Sequence, residues 1–266
     1  MYPHIDIFGR TIPTYGLMAV IGFLLALVYA GIVGHIKKLK TEDGIYVLTF
    51  GMVGVIIGAK FFYLILVFPS FIRDLPMILQ DFQLFFQMYF AGGMVFYGGL
   101  FGAIIGAALA SRFFGVDLRE LYPIVVPAIP LIAGFGRIGC FLTGCCYGKE
   151  THSIIGVVFT QSLYAPNGVS LIPTQLIECF FDLGLFMFLI FFSNSRFRDY
   201  SLRVYLLCYA VFRIIIEFFR GDDARGFFLG ISTSQWVSLI VIAVIFTLAV
   251  RRKKGTSVLS DNVKEI

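Results

Sequence analysis

Long apolar stretches recur along the chain with short polar breaks between them. They run over about residues 13–34, 45–68, 94–114, 121–141, 172–192, 202–219 and 231–250. Each approaches the ~20 residues that carry an α-helix across a bilayer. None shows the strict apolar–polar alternation of a barrel strand. Backbone N–H and C=O groups find no water in lipid, so segments of this kind must be helices. The pattern predicts an all-α integral membrane protein with seven transmembrane helices. It is expected to form a single polytopic domain over 1–266, with a polar cytoplasmic tail over 250–266. The fourth stretch carries Pro123, Pro127 and Pro130 and is expected to be kinked or delayed.

Composition sharpens this picture. Hydrophobic residues make up 59% of the 266 and charged residues 14%, against roughly 45–50% and about 25% in soluble domains. That excludes a soluble globular enzyme, a disordered chain and a nucleic-acid-binding domain. The net charge of +5 reads as a topology signal. Of 21 Lys and Arg, 13 fall in the first, third and fifth inter-span loops and the tail, five fall on the opposite side, and three lie inside spans. Basic loops stay cytoplasmic, so the N-terminus is expected outside and the C-terminus inside. Met1–Arg10 does not read as a cleaved signal peptide. The longest outer segment, about 142–171, is too short for a separate soluble domain, so any chemistry takes place in or at the membrane. No internal repeat of the transporter kind is evident.

The three intramembrane cations are Lys60, Arg137 and Arg213. A charge at the bilayer centre costs at least ~2.5–3.5 kcal/mol, so such residues face a polar cavity or pair inside the bundle. The predicted topology puts all three in outer halves of their spans. Tyr15, Tyr97, Gln175, Glu178, Glu217 and Arg220 fall at the same depth. Arg213, Glu217 and Arg220 are spaced i, i+4, i+7, one helical face. An excess of cations over acids points to an anion, and in the outer leaflet that anion is a phospholipid headgroup. A helix-docking Arg–Glu pair and a snorkelling Lys60 are the bland alternatives.

Glycines near these residues have two readings. Gly102 and Gly106 suit close helix packing. Gly98 beside Tyr97, and Gly139 near Arg137, would also let a phosphate approach bare backbone N–H groups. Cys140, Cys145 and Cys146 cluster just past span four. A zinc site wants four ligands; His152 is the one candidate fourth, and no CxxC pair exists. A structural or disulfide role is expected, with no metal and no cofactor.

Gly136-Arg137-Ile138-Gly139-Cys140-Phe141 resembles the signature of the bacterial prolipoprotein diacylglyceryl transferases. Further family-like pieces follow in order: Tyr15-Gly16-Leu17-Met18; Gly58-Ala59-Lys60 with Tyr63; Gly92-Gly93-Met94 with Tyr97-Gly98-Gly99; Pro173-Thr174-Gln175-Leu176 with Glu178; Phe212-Arg213 with Glu217-Phe218-Phe219-Arg220; and Ser232 to Gln235. The resemblance implies transfer of diacylglyceryl from phosphatidylglycerol to the thiol of a lipobox cysteine in a prolipoprotein, with release of glycerol phosphate, in the bacterial cytoplasmic (inner) membrane. It implies catalytic roles for Arg137, Arg213, Tyr97 and Glu217. Tyr15, Lys60, Gly98, Gly139, Gln175, Glu178, Arg220 and Gln235 would bind substrate, and membrane lipid would hold the acyl chains. The chain departs from the family pattern at Tyr97 (usually His), Cys140 (usually Asn), Cys145 (usually Glu) and Lys60 (usually Arg). A related enzyme with a different acceptor, or a non-catalytic lipid transporter or binding protein, are the competing readings.

Overall fold

The computed structural model describes residues 2–7, 9–78, 83, 89, 93–222 and 226–264. Gly92, named above, and Arg225, one of the five cations counted on the outer side, lie outside them. Among the described residues, seven long helices occupy the seven apolar stretches. They are α1 (Thr14–Lys37), α2 (Thr41–Ile78), α3 (Phe96–Phe114), α4 (Tyr122–Thr143), α5 (Thr174–Phe192), α6 (Ser201–Glu217) and α7 (Thr233–Lys264). Short antiparallel pairs fill some of the links: β1 (His4–Ile7) with β2 (Arg10–Pro13), β3 (Val157–Val158) with β4 (Ser170–Leu171), and β5 (Phe227–Phe228) with β6 (Ile231–Ser232).

Six of the seven helices are long and apolar enough to cross a membrane; α6, at 17 residues, is shorter and carries Arg203, Arg213 and Glu217. The outward surface is apolar. On α1, Val20, Leu24, Val28 and Ile32 are all exposed, one residue per turn along a single face. Such a face is at ease only in lipid. Among apolar residues such as Ile124, Leu131 and Leu189, the interior also buries Gln175, Glu178, Asp182, Arg213, Glu217 and Arg220.

Boundaries differ from expectation at α2 and at α7, the latter continuing to Lys264 rather than ending near residue 250. The α2 helix runs through Pro69 and Pro76 to Ile78, well past the expected end at residue 68. Its added turns carry Asp74, whose carboxylate accepts the Tyr89 hydroxyl at 2.6 Å. The α4 helix is not delayed: it starts at Tyr122 and carries Pro127 and Pro130 inside it. Pro123 falls in the first turn, where a missing N–H costs nothing.

The chain divides into two compact units, one of Met1–Val28 with Val126–Ile266, the other Tyr29–Val125. The second unit is built on glycine. A Cβ on Gly54 or Gly102 would meet the other's carbonyl, one on Gly58 or Gly98 likewise, and one on Gly106 the carbonyl of Phe50. Spacings of four keep these glycines on one face of α2 and of α3, so the backbones approach directly. Packing thus accounts for Gly98 as well as Gly102 and Gly106. In the same unit Lys60 Nζ lies 4.7 Å from the centroid of the Tyr63 ring.

In the first unit α1 approaches α4 through two glycines. A Cβ on Gly22 would come within 2.7 Å of Phe135 Cβ, and one on Gly139 within 3.0 Å of Tyr15 Cα. Helix contact therefore accounts for Gly139 too.

Candidate functional site

The site belongs to the first unit and is organised by α5. Gln175, Glu178, Asp182, Leu185 and Leu189 recur every three or four residues and are buried. One helical stripe is therefore polar at its start and apolar further on. Glu178, only 2% exposed, gathers three guanidinium groups. Its Oε2 is 2.5 Å from Arg137 Nη2, and its Oε1 is 3.3 Å from Arg213 Nη1 and 3.9 Å from Arg220 Nη1.

The rest of the shell fixes two of these cations firmly. Arg213 Nη2 is 3.1 Å from Glu217 Oε2 and donates to Ser234 Oγ at 3.2 Å. The expected i, i+4 pairing of Arg213 with Glu217 is present. Arg220 does not continue that helical face, because α6 ends at Glu217. Tighter turns follow, with Phe219 N–H donating to Ile216 C=O, and Arg220 pairs by backbone with Gly148. Its guanidinium then makes a two-pronged contact with Asp222, at 3.0 and 2.7 Å. Burial alone would lower the Arg220 pKa, but the Asp222 hydrogen bond and the surrounding negative groups raise it above the ordinary value, so the group stays charged.

Arg137 differs. Glu178 is its only ion-pair partner among the described residues, and its side chain is 18% exposed. Its remaining N–H donors are therefore open to a ligand. The expected excess of cations is not found here: three guanidinium groups face Glu178, Glu217 and Asp222, with Asp182 buried nearby on α5. Capacity for an anion rests on Arg137 rather than on surplus charge. Two buried acceptors, Gln175 Oε1 and Asp182 Oδ1, have no hydrogen-bond partner among the described residues. Buried acceptors are almost always satisfied, so both are placed to accept from a bound water or ligand.

The end of α4 brings the cysteines alongside. Gly144 (φ +81°) and Cys146 (φ +58°) both take the left-handed conformation, which is costly for a non-glycine residue. The chain curls back so that the sulfurs of Cys140, Cys145 and Cys146 all lie within 4.8 Å of one another. All five cysteines are free thiols, so of the two expected roles, structural or disulfide, the disulfide is not formed. Hydrogen bonds from the Cys140 and Cys145 thiols hold the Cys146 pKa below its usual value, against the opposing effect of burial. The loop is tied to α5 by Thr174 Oγ1, donating to Cys146 C=O at 2.7 Å, and by Gln175 Nε2, donating to Cys145 C=O at 2.8 Å. The thiols are thus anchored one helical turn from Glu178.

The structure brings Arg137, Gln175, Glu178, Arg213, Glu217 and Arg220 together, with Tyr15 against Gly139 beside them. Gln235 is engaged otherwise. Its Oε1 accepts from Ser232 N–H at 3.1 Å while its own N–H donates to Ser232 Oγ at 3.2 Å, a capping box at the start of α7. Lys60, Tyr97 and Gly98 belong to the second unit. Sequence reasoning missed Asp182, Asp222 and Ser234. Asp182 carried a signal, one turn after Glu178 in an otherwise apolar run; Asp222 lies in a polar link where nothing marks it, and Ser234, in the first turn of α7, fell inside the Ser232-to-Gln235 piece without a role of its own.

The prolipoprotein diacylglyceryl transferase family model matches residues 4–251. A Clostridium tetani protein named phosphatidylglycerol–prolipoprotein diacylglyceryl transferase is 39% identical over 250 residues, covering 93% of this chain and 96% of that protein. A Clostridium perfringens protein of the same name, numbered 2, is 35% identical over 253 residues, covering 94% and 95%. A Rickettsia felis protein with that name is 35% identical over 228 residues, covering 81% and 82%.

Proposed function

The chain belongs to the prolipoprotein diacylglyceryl transferase family, and from that premise we propose that it moves diacylglyceryl from phosphatidylglycerol to the thiol of a lipobox cysteine in a prolipoprotein. Glycerol phosphate leaves. The protein works in the bacterial cytoplasmic membrane, with seven spans, its N-terminus outside and its C-terminus in the cytoplasm.

The observation that carries this reading is a partly open guanidinium, Arg137, held by a buried Glu178. Arg137 grips the phosphate of the lipid. As the carbon–oxygen bond to phosphate breaks, negative charge grows on the departing group, and fixed N–H donors stabilise it more than the starting diester. Glu178 orients Arg137 and Arg213 at once, while Glu217 and Ser234 hold Arg213 from its other edge. Arg220, tied to Asp222, contributes positive field rather than an open fork. The unpartnered oxygens of Gln175 and Asp182 suit the hydroxyls of a glycerol headgroup. Tyr15, 40% exposed, borders the same region, and the acyl chains remain in lipid.

Purified protein incubated with phosphatidylglycerol and a lipobox peptide should yield glycerol phosphate and a thioether-linked peptide in equal amounts. Glycerol phosphate without modified peptide would point to another acceptor. Lipid binding without either product would defeat the transferase reading.

A further inference from the structure

The three clustered thiols are not used by the reading above, and a group of this make-up has a chemistry of its own. We propose that Cys140, Cys145 and Cys146 bind a zinc ion through three thiolates and leave its fourth position for the thiol of the acceptor peptide.

The geometry fits. Zinc sits about 2.3 Å from each sulfur in a tetrahedral site, which spaces the sulfurs by about 3.8 Å. The three Sγ atoms already lie within 4.8 Å of one another, so small rotamer changes close the site. The backbone is shaped for it: a non-glycine residue, Cys146, is held at φ +58° next to Gly144 at φ +81°, and strain of this kind collects at functional positions. The supports of the loop are in place, with Thr174 and Gln175 hydrogen-bonded to its carbonyls and Thr143 Oγ1 3.4 Å from Cys145 Sγ. Such outer contacts orient metal ligands.

The ligand count points to a working site rather than a structural one. Among the described residues no His, Asp, Glu or fourth Cys joins the group, and His152 is exposed. Structural zinc sites close with four protein ligands, whereas catalytic sites keep one position open.

The inference rests on the transferase reading, because that reaction needs an acceptor thiolate. A free thiol has a pKa of about 8.5. Glu178, Glu217 and Asp222 are occupied by ion pairs, Asp182 lies a further helical turn along α5, and among the described residues no histidine joins the thiol group. A metal deprotonates a coordinating thiol outright. The acceptor would release its proton to water on binding zinc. Its sulfur would then attack the diacylglyceryl carbon that bears the phosphate. One carbon–sulfur bond forms, one carbon–oxygen bond breaks, and that electron pair leaves with glycerol phosphate. The thioether is a weaker zinc ligand than a thiolate, so the product leaves.

Full-length protein purified from zinc-supplemented cells should carry about one zinc per chain. Cys140→Ser, Cys145→Ser and Cys146→Ser should each lose most of it, and Cys208→Ser should keep it. In the wild-type protein loaded with cobalt(II), thiolate-to-cobalt absorption should appear. It should change when a lipobox peptide is added, and stay unchanged with the same peptide carrying Ser in place of its Cys. Should the cysteine variants prove misfolded, chelation of the wild-type protein makes the same test: thioether formation should be lost and return with zinc. Protein without metal, a cobalt spectrum indifferent to the peptide, or full transfer by the metal-free protein would each overturn the inference, the last while leaving the transferase reading intact. If loaded protein releases no glycerol phosphate, the transferase reading fails, and the peptide-dependent spectrum still decides the metal site.

Discussion

At the scale of single residues, Glu178 decides the arrangement. One buried carboxylate serves Arg137, Arg213 and Arg220, and removing one partner of a buried ion pair typically costs about 3–5 kcal/mol, because the others keep their desolvation penalty. Glu178→Gln is therefore expected to lower both thermal stability and activity, read by size-exclusion of heated samples and by glycerol phosphate release. Arg137→Ala should differ, since its side chain is part-exposed and makes one ion pair. Stability should change little while turnover falls about 10²–10³-fold, the usual loss on removing a transition-state donor. Arg137→Lys should recover little, because an ammonium lacks the two-pronged fork. Comparable turnover of Arg137→Ala and wild type would contradict the phosphate role. Tyr97→Phe tests the assignment drawn from the family pattern: loss of transfer with normal insertion supports a role for its hydroxyl, and an unchanged rate removes it.

At the scale of elements, glycine sets how closely helices approach. In α2 and α3, five glycines at spacings of four put carbonyl against backbone, and no side chain fits between. Gly102→Leu is expected to disrupt this pair, with overpacking costing at least about 1–3 kcal/mol, measured as a fall in the temperature at which the detergent-purified protein aggregates. The Gly115→Ala substitution should be mild by comparison: this glycine caps α3 at φ +65° with nothing within 4 Å of a Cβ, so only the left-handed conformation is penalised. These packing glycines were legible as spacing. So was the Ser232-to-Gln235 capping signature, which sequence reading assigned instead to substrate. A side chain that satisfies a helix start and one that meets a ligand carry the same amide, and only contact tells them apart.

At the scale of the whole molecule, the apolar exterior and the charged residues gathered inside the first unit follow from lipid as solvent. The topology proposed from basic loops has a direct test. A fluorescent protein fused after Val250 should fluoresce, and a periplasm-dependent phosphatase at the same place should stay inactive; the reverse would place the C-terminus outside.

The sequence by itself determined the helices. Lipid acts on each segment separately, since every backbone polar group must be satisfied within its own helix, so seven apolar stretches sufficed to locate seven helices. It also marked Arg137, Arg213 and Glu217, because charges stand out against such a background. The tertiary structure decided their partners. Arg213 meets Glu178 from 35 residues away, and Arg220 leaves its expected helical face when α6 stops at Glu217. Three thiols converge only because Gly144 and Cys146 turn the chain. Which charge meets which, and which remain open to a ligand, depends on how helices pack and loops turn back, a long-range matter that local hydropathy does not encode.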